Sequence, residues 1–278
     1  MNLLPPKYRP LDTPLSFQAD IRIEEWQHGQ LQTQSGVTFS QTIAPAPKQG
    51  WGDYCLLLER TVPEITPASS NPADEVVLLL THPFLQLEVL LDASGTPQKL
   101  RNQQQIWHRW QDETYPAVTG AYSGDWVTAM VQQTEQSLLH PARTLDIALY
   151  HDWILAHYFA PFQQRSGTGS QPFLSYLAGS IPLAFREQWH AIPEAGEQAP
   201  ALKVTGILAR PLLPEETRRM LPEAVWKQTA EQPLLATKQA HYWLSPERGL
   251  WNTGFECTYR LTAGDDYEKR IDLKLLPA

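Results

Sequence analysis

Apolar and polar residues alternate along Leu15-Ser16-Phe17-Gln18-Ala19-Asp20-Ile21-Arg22-Ile23, the period of two that turns one face of a strand to a core and the other to water. His28-Gly29 offers a turn and Val37-Thr38-Phe39 a return, so the chain is expected to open on a hairpin. Residues 53–60 and 84–91 read as further strands, the second closed by the turn Asp92-Ala93-Ser94-Gly95. Between them, 62–74 is rich in proline and serine and reads as an exposed loop, while 76–80 is a short apolar run that fits a buried strand or a helix. Strands are expected again at 181–192, 202–209, 241–244, 251–261 and 267–275. Gly264-Asp265-Asp266 reads as a hairpin turn.

The middle of the chain has a different period. A helix is expected over 103–112, after Asn102. Val127, Met130, Val131, Thr134 and Leu138 share one helical face ahead of Pro141. Pro141 suits the first turn of a second helix, where no amide hydrogen is needed, and that helix is expected to run to about Ala160. Leu145, Leu149, Trp153 and Ala156 form its stripe, and Ile147, Tyr150 and Ile154 widen it, which predicts burial on more than one side. Glu215 and Glu216 after Pro214 mark another helix start, and Pro222 its end or a kink. The pattern predicts an α+β fold: a large curved antiparallel sheet packed around a long central helix, with short additional helices. One domain over 1–278 accommodates it, and the polar stretch 163–172 is where a boundary would fall.

Composition narrows the function. The 278 residues are 42% hydrophobic and 19% charged, a balance that folds. The net charge of −8 opposes nonspecific nucleic-acid binding, which needs a basic surface, and opposes an anionic membrane surface for the same reason. No apolar run reaches the ~20 residues that span a bilayer. Met1-Asn2-Leu3-Leu4-Pro5-Pro6 lacks the basic region and long apolar run of a secretory signal, so a cytoplasmic location is expected, with Cys55 and Cys257 as free thiols.

Signatures of common chemistry are missing: no phosphate-cradling glycine loop, no GxSxG turn, no HExxH helix. Gly167-Thr168-Gly169 has neither the third glycine nor the preceding strand of a dinucleotide site. No cofactor is expected. His151-Asp152 and His157 could act as a base and its orienter, but residues six apart on a helix point to different sides and cannot share a metal. Glu187 and His190, three apart on a strand, face opposite ways. Glu24-Glu25 and Asp265-Asp266 read as solvated charge rather than glycosidase carboxylates. Most of the aromatics beside predicted strands, Trp26, Trp189 and Trp243 among them, read as packing.

Leu87-Glu88-Val89-Leu90-Leu91-Asp92-Ala93-Ser94-Gly95 before a helix, and the closing hairpin around 245–249, give a layout that resembles bacterial periplasmic lipoprotein carriers, in which a curved sheet wraps a helix. The resemblance implies architecture alone. The function expected from the residues is binding without catalysis, by an interaction or structural adaptor subunit whose partner is another protein chain; a homo-oligomer fits too. A small-molecule or lipid carrier with a cavity between sheet and helix is the first alternative, and an enzyme using His151 or His157 the second. The last strand, with Lys269, Arg270 and Lys274, reads as a guarded sheet edge. Contact is therefore expected at the loops 44–52 and 62–74, through Trp51, Pro67 and Pro72.

Overall fold

The computed structural model describes residues 11–46, 54–67, 71–164, 173–178, 181–192, 201–229, 232–245 and 251–278. The alternating segments assemble into one antiparallel sheet of twelve strands: β1 (Leu15–Gln27), β2 (Gln30–Pro45), β3 (Tyr54–Arg60), β4 (Glu64–Thr66), β5 (Gln86–Leu91), β6 (Pro97–Leu100), β7 (Phe173–Ala178), β8 (Ile181–Ile192), β9 (Ala201–Leu208), β10 (Leu234–Ser245), β11 (Trp251–Ala263) and β12 (Tyr267–Pro277). Their spatial order is β6-β5-β3-β2-β1-β12-β11-β10-β9-β8-β7, with β4 paired to β2, and the sheet does not close. First and last strands meet at its centre, where Phe17 faces Pro277 and Gln27 faces Tyr267.

The centre is where the sequence reading of the last strand fails. β12 is no edge: it lies between β1 and β11. Its charges are held across the sheet instead, Lys269 by Glu25 at 2.7 Å and Lys274 by Glu256 at 3.4 Å, with Arg270 beside Asp272 at 2.8 Å. The predicted loop 62–74 is also partly ordered into elements. It contains β4 and ends in Asn71, whose side chain accepts the Ala73 N–H at 3.1 Å to cap α1 (Pro72–Thr81). The apolar run 76–80 is thus helical. Pro72 sits in the first turn of that helix, where its ring costs no hydrogen bond.

Helices cover one face of the sheet. α2 (Gln103–Arg109) runs through a π-helical stretch, Trp110–Thr114, into α3 (Tyr115–Ala121). α4 (Asp125–Leu138) follows the predicted stripe, with Val127, Val131 and Leu138 buried. The long unbroken helix expected from Pro141 is absent. In its place stand α5 (Pro141–Leu145), a π-helical stretch over Asp146–Tyr150, and α6 (Trp153–Gln164). The break has a local cause: the Asp152 carboxylate accepts the Leu155 N–H at 2.8 Å and caps a fresh first turn. α7 (Pro214–Met220) and α8 (Glu223–Thr229) complete the set, separated at Pro222 as the proline predicts.

Burial of α6 explains the curvature. Every residue from Ile154 to Ala160 is buried, as is Phe162, whereas Trp153 is only half-buried. The Tyr158 ring lies 6.0 Å from Phe17 of β1, and the adjacent His157 ring lies 5.2 Å from Phe173 of β7. Six strand spacings separate β1 from β7, about 29 Å in a flat sheet. Neighbouring residues of one helix reach both only because the sheet curls around α6. The helical segment also runs across the opening between the sheet's two ends: α5 packs on β6, and His151 stacks on Tyr176 of β7 at 3.7 Å.

Candidate functional site

The enzyme reading depends on His151 and His157. His151 lies at the break before α6 and faces Asp146 at 3.2 Å, not Asp152. Asp152 instead receives the Arg60 guanidinium from β3 at 2.5 Å while capping α6. Base and orienter are therefore not brought together. His157 is buried, with Nδ1 2.6 Å from the Trp153 carbonyl and Nε2 2.8 Å from the Tyr259 hydroxyl. A carbonyl only accepts, so Nδ1 carries the proton and Nε2 accepts from tyrosine. Burial, and after it the charge of Lys238, hold the His157 pKa well below the usual histidine value. The ring is neutral and shut away from solvent.

Around it lies a buried polar cluster that the sequence reading missed. Lys238 of β10 donates to Glu187 of β8 at 2.6 Å, with the two side chains 0% and 3% exposed. The Lys238 ammonium also sits 3.5 Å from the centroid of the Phe173 ring, and Glu187 accepts the Trp189 indole N–H at 3.0 Å. β9 runs between the two strands, and Gly206 is the residue opposite both Glu187 and Lys238. A Cβ on Gly206 would stand 3.3 Å from Lys238 Cβ and 3.5 Å from Glu187 Cγ. The missing side chain leaves room for the pair to meet over the intervening strand. Burial raises the Tyr242 and Tyr259 hydroxyls well above the ordinary tyrosine value and pushes the Cys257 thiol up to about 12. All three stay protonated, so the cluster offers no nucleophile.

Aromatic rings pack between the sheet and α6. Tyr158, Phe159, Phe162, Phe185, Tyr242, Phe255 and Tyr259 are fully buried and meet ring to ring between the sheet and α6. Neither cysteine is in a disulfide, and both are buried. Three strands separate β3 from β11, which puts Cys55 and Cys257 beyond the ~7 Å that a disulfide spans.

The sheet's outer face, turned away from α6, carries exposed side chains at alternate strand positions. A groove of about 710 Å³ runs over the hairpin ends of the central strands, lined by Trp26, Leu235, Thr237, Arg260, Asp265 and Glu268 among others. Four of its lining residues form one cross-strand row, Trp26–Glu268–Thr262–Leu235, read from β1 to β10 through the strand register, and Leu31 of β2, opposite Trp26, continues the row. Leu235 is 60% exposed and Leu31 42%, while Ile207, opposite Thr237 on β9, is 58% exposed. Toward the strand middles the same face turns polar, with Arg22, Glu256, Arg270, Asp272 and Lys274 lining a smaller depression. Of the residues expected from sequence to make contact, Pro67 is exposed just after β4 and Pro72 is exposed at the start of α1; Trp51 lies outside the described residues.

No family model matches the chain, and no curated protein matches it. Among solved structures the chain is similar to lipovitellin, in a structure of its lipid–protein interactions, at 10% identity and a TM-score of 0.43, over 98% of this chain and 25% of that one. It is also similar to DynF of the dynemicin biosynthesis pathway from Micromonospora chersina, at 7% identity and a TM-score of 0.23, over 100% of this chain and 90% of that one. The chain thus spans about a quarter of the lipovitellin chain, and neither score is high enough to carry an argument.

Proposed function

We propose that this chain is a non-enzymatic interaction protein that engages another protein chain through the outer face of its sheet. One observation carries the reading: large aliphatic side chains at Leu235, Ile207 and Leu31 stand exposed around a groove on that face, with charged residues beside them. Exposed apolar patches rimmed by polar groups mark interaction sites, protein contacts among them. The packed interior and the sequestered His157 favour this reading over the carrier and the histidine enzyme. Exposed Pro67, just after β4, and Pro72, at the start of α1, lie toward the β2 side, where they would extend the contact. Buried thiols that form no disulfide suit a reducing compartment, and we place the protein in the cytoplasm. No helix among the described residues is long and apolar enough to cross a membrane.

The test is site-specific photocrosslinking in cells that make the protein. A crosslinker at position 235 should give one discrete adduct with a heterologous chain, and the same group at exposed Gln136 of α4 should give none. Adducts of equal yield at both positions, or none at 235, would remove the outer face from consideration.

A further inference from the structure

The shape and charge of the groove specify what kind of segment fits it. The cross-strand row through it crosses five strands from Leu31 on β2 to Leu235 on β10, with Trp26, Glu268 and Thr262 between the leucines. Four spacings at the usual inter-strand distance make about 19 Å, the length of roughly six residues of extended chain. Leucine lies at each end, with the half-buried Trp26 ring one strand in from Leu31, so the apolar anchors span the length of a strand-like segment. A globular surface would bridge such a row only at its high points.

Charge then selects among occupants. Among the described lining residues, Asp265, Asp266 and Glu268 stand against the guanidinium of Arg260, which Glu268 holds at 2.6 Å. His28 stands 3.0 Å from Asp266 at the rim. The chain as a whole carries −8. A second copy would bring the same carboxylates against themselves, and an anionic lipid surface would meet repulsion. A segment with lysine or arginine beside its apolar anchors meets the opposite field. Resting on the reading of the outer face as the docking surface, we propose that this groove binds an extended, basic segment of a partner protein. The segment lies across β2, β1, β12, β11 and β10, with its apolar side chains on Trp26, Leu31 and Leu235 and its cations toward Asp265 and Asp266.

Fluorescence anisotropy with the purified full chain tests this, using three labelled eight-residue peptides: alternating lysine and leucine, glutamate and leucine, and lysine and serine. The lysine–leucine peptide should bind more tightly than either other. Leu235→Glu, at an exposed position that leaves the melting temperature unchanged, should weaken that binding by about tenfold or more, and Asp265→Lys should weaken it in a salt-dependent way. Equal binding of the lysine–serine peptide would mean charge alone, and equal binding of the glutamate–leucine peptide would mean apolar contact alone; either overturns the proposal. So does indifference to Leu235→Glu, or no binding at all. Peptide failure beside a crosslink from position 235 would discard the basic extended segment and keep the docking face. Silence of that crosslinker would discard the face itself, whatever the peptides do.

Discussion

Replacing Lys238 with methionine removes the cation from a pair whose side chains are 0% and 3% exposed. Glu187 would then be left inside the protein without its cation, accepting the Trp189 indole N–H at 3.0 Å. Leaving one partner of a buried pair uncompensated costs about 3–5 kcal/mol, and in a chain of this size each kcal/mol lowers the midpoint by about 2–4 °C. The expected fall is therefore roughly 6–20 °C. Adding Glu187→Gln removes the orphaned charge yet keeps an acceptor for Trp189, so the double variant should recover most of the loss. Equilibrium urea unfolding of the two single variants, the double variant and the parent closes the cycle and yields the coupling directly. Gly206→Val supplies an independent arm: its side chain would occupy the space over β9 and should destabilise with both charges in place. A Lys238→Met protein as stable as the parent would refute the reasoning, as would a double variant whose loss is the sum of the singles.

Three further outcomes follow from the same interior. His157 is neutral in the fold and its pKa is depressed by burial, so below the ordinary value of about 6.5 the unfolded chain takes up a proton that the fold refuses. Stability should hold above that pH and fall by up to about 1.4 kcal/mol per unit below it, and unfolding free energies measured from pH 7.5 to 5 should show a smaller slope in His157→Gln. The Tyr242 hydroxyl is buried with no hydrogen-bond partner among the described residues, so Tyr242→Phe should leave stability unchanged or raise it by about 1–2 kcal/mol; a loss of that size in thermal melts would reveal a partner. Thiol titration of denatured, unreduced protein should find both Cys55 and Cys257 reactive, and finding neither would establish a disulfide.

Period-two alternation was enough to locate β1, β8 and β12 within a few residues, because each has one apolar face whose parity survives any partner. Capping and breaking signals were equally local: Pro141 and Pro214 open helices, and Pro222 separates two. Asp152, ahead of an apolar run, carried the signal for the new start of α6, although the apolar spread over 141–160 read as one helix. The short strands β4, β6 and β7 had too few residues to show a period. The buried pair was half legible as well. Lys238 shares parity with Ala236, Ala240 and Tyr242, and Glu187 with Leu183 and Phe185, so each stands at a core position of its strand. What the chain could not say is that β8 and β10 flank one strand, or that Gly206 falls between the two side chains. Neither could it say that β12 joins β1 at the centre, which makes a presumed edge the middle of the sheet and sets Trp26 beside Leu31 and across three strands from Leu235. Parity is a property of one strand, set by backbone geometry alone. Neighbour and register are properties of two strands, decided by whichever pairing buries all the apolar faces together, and both the ion pair and the docking groove exist only at that level.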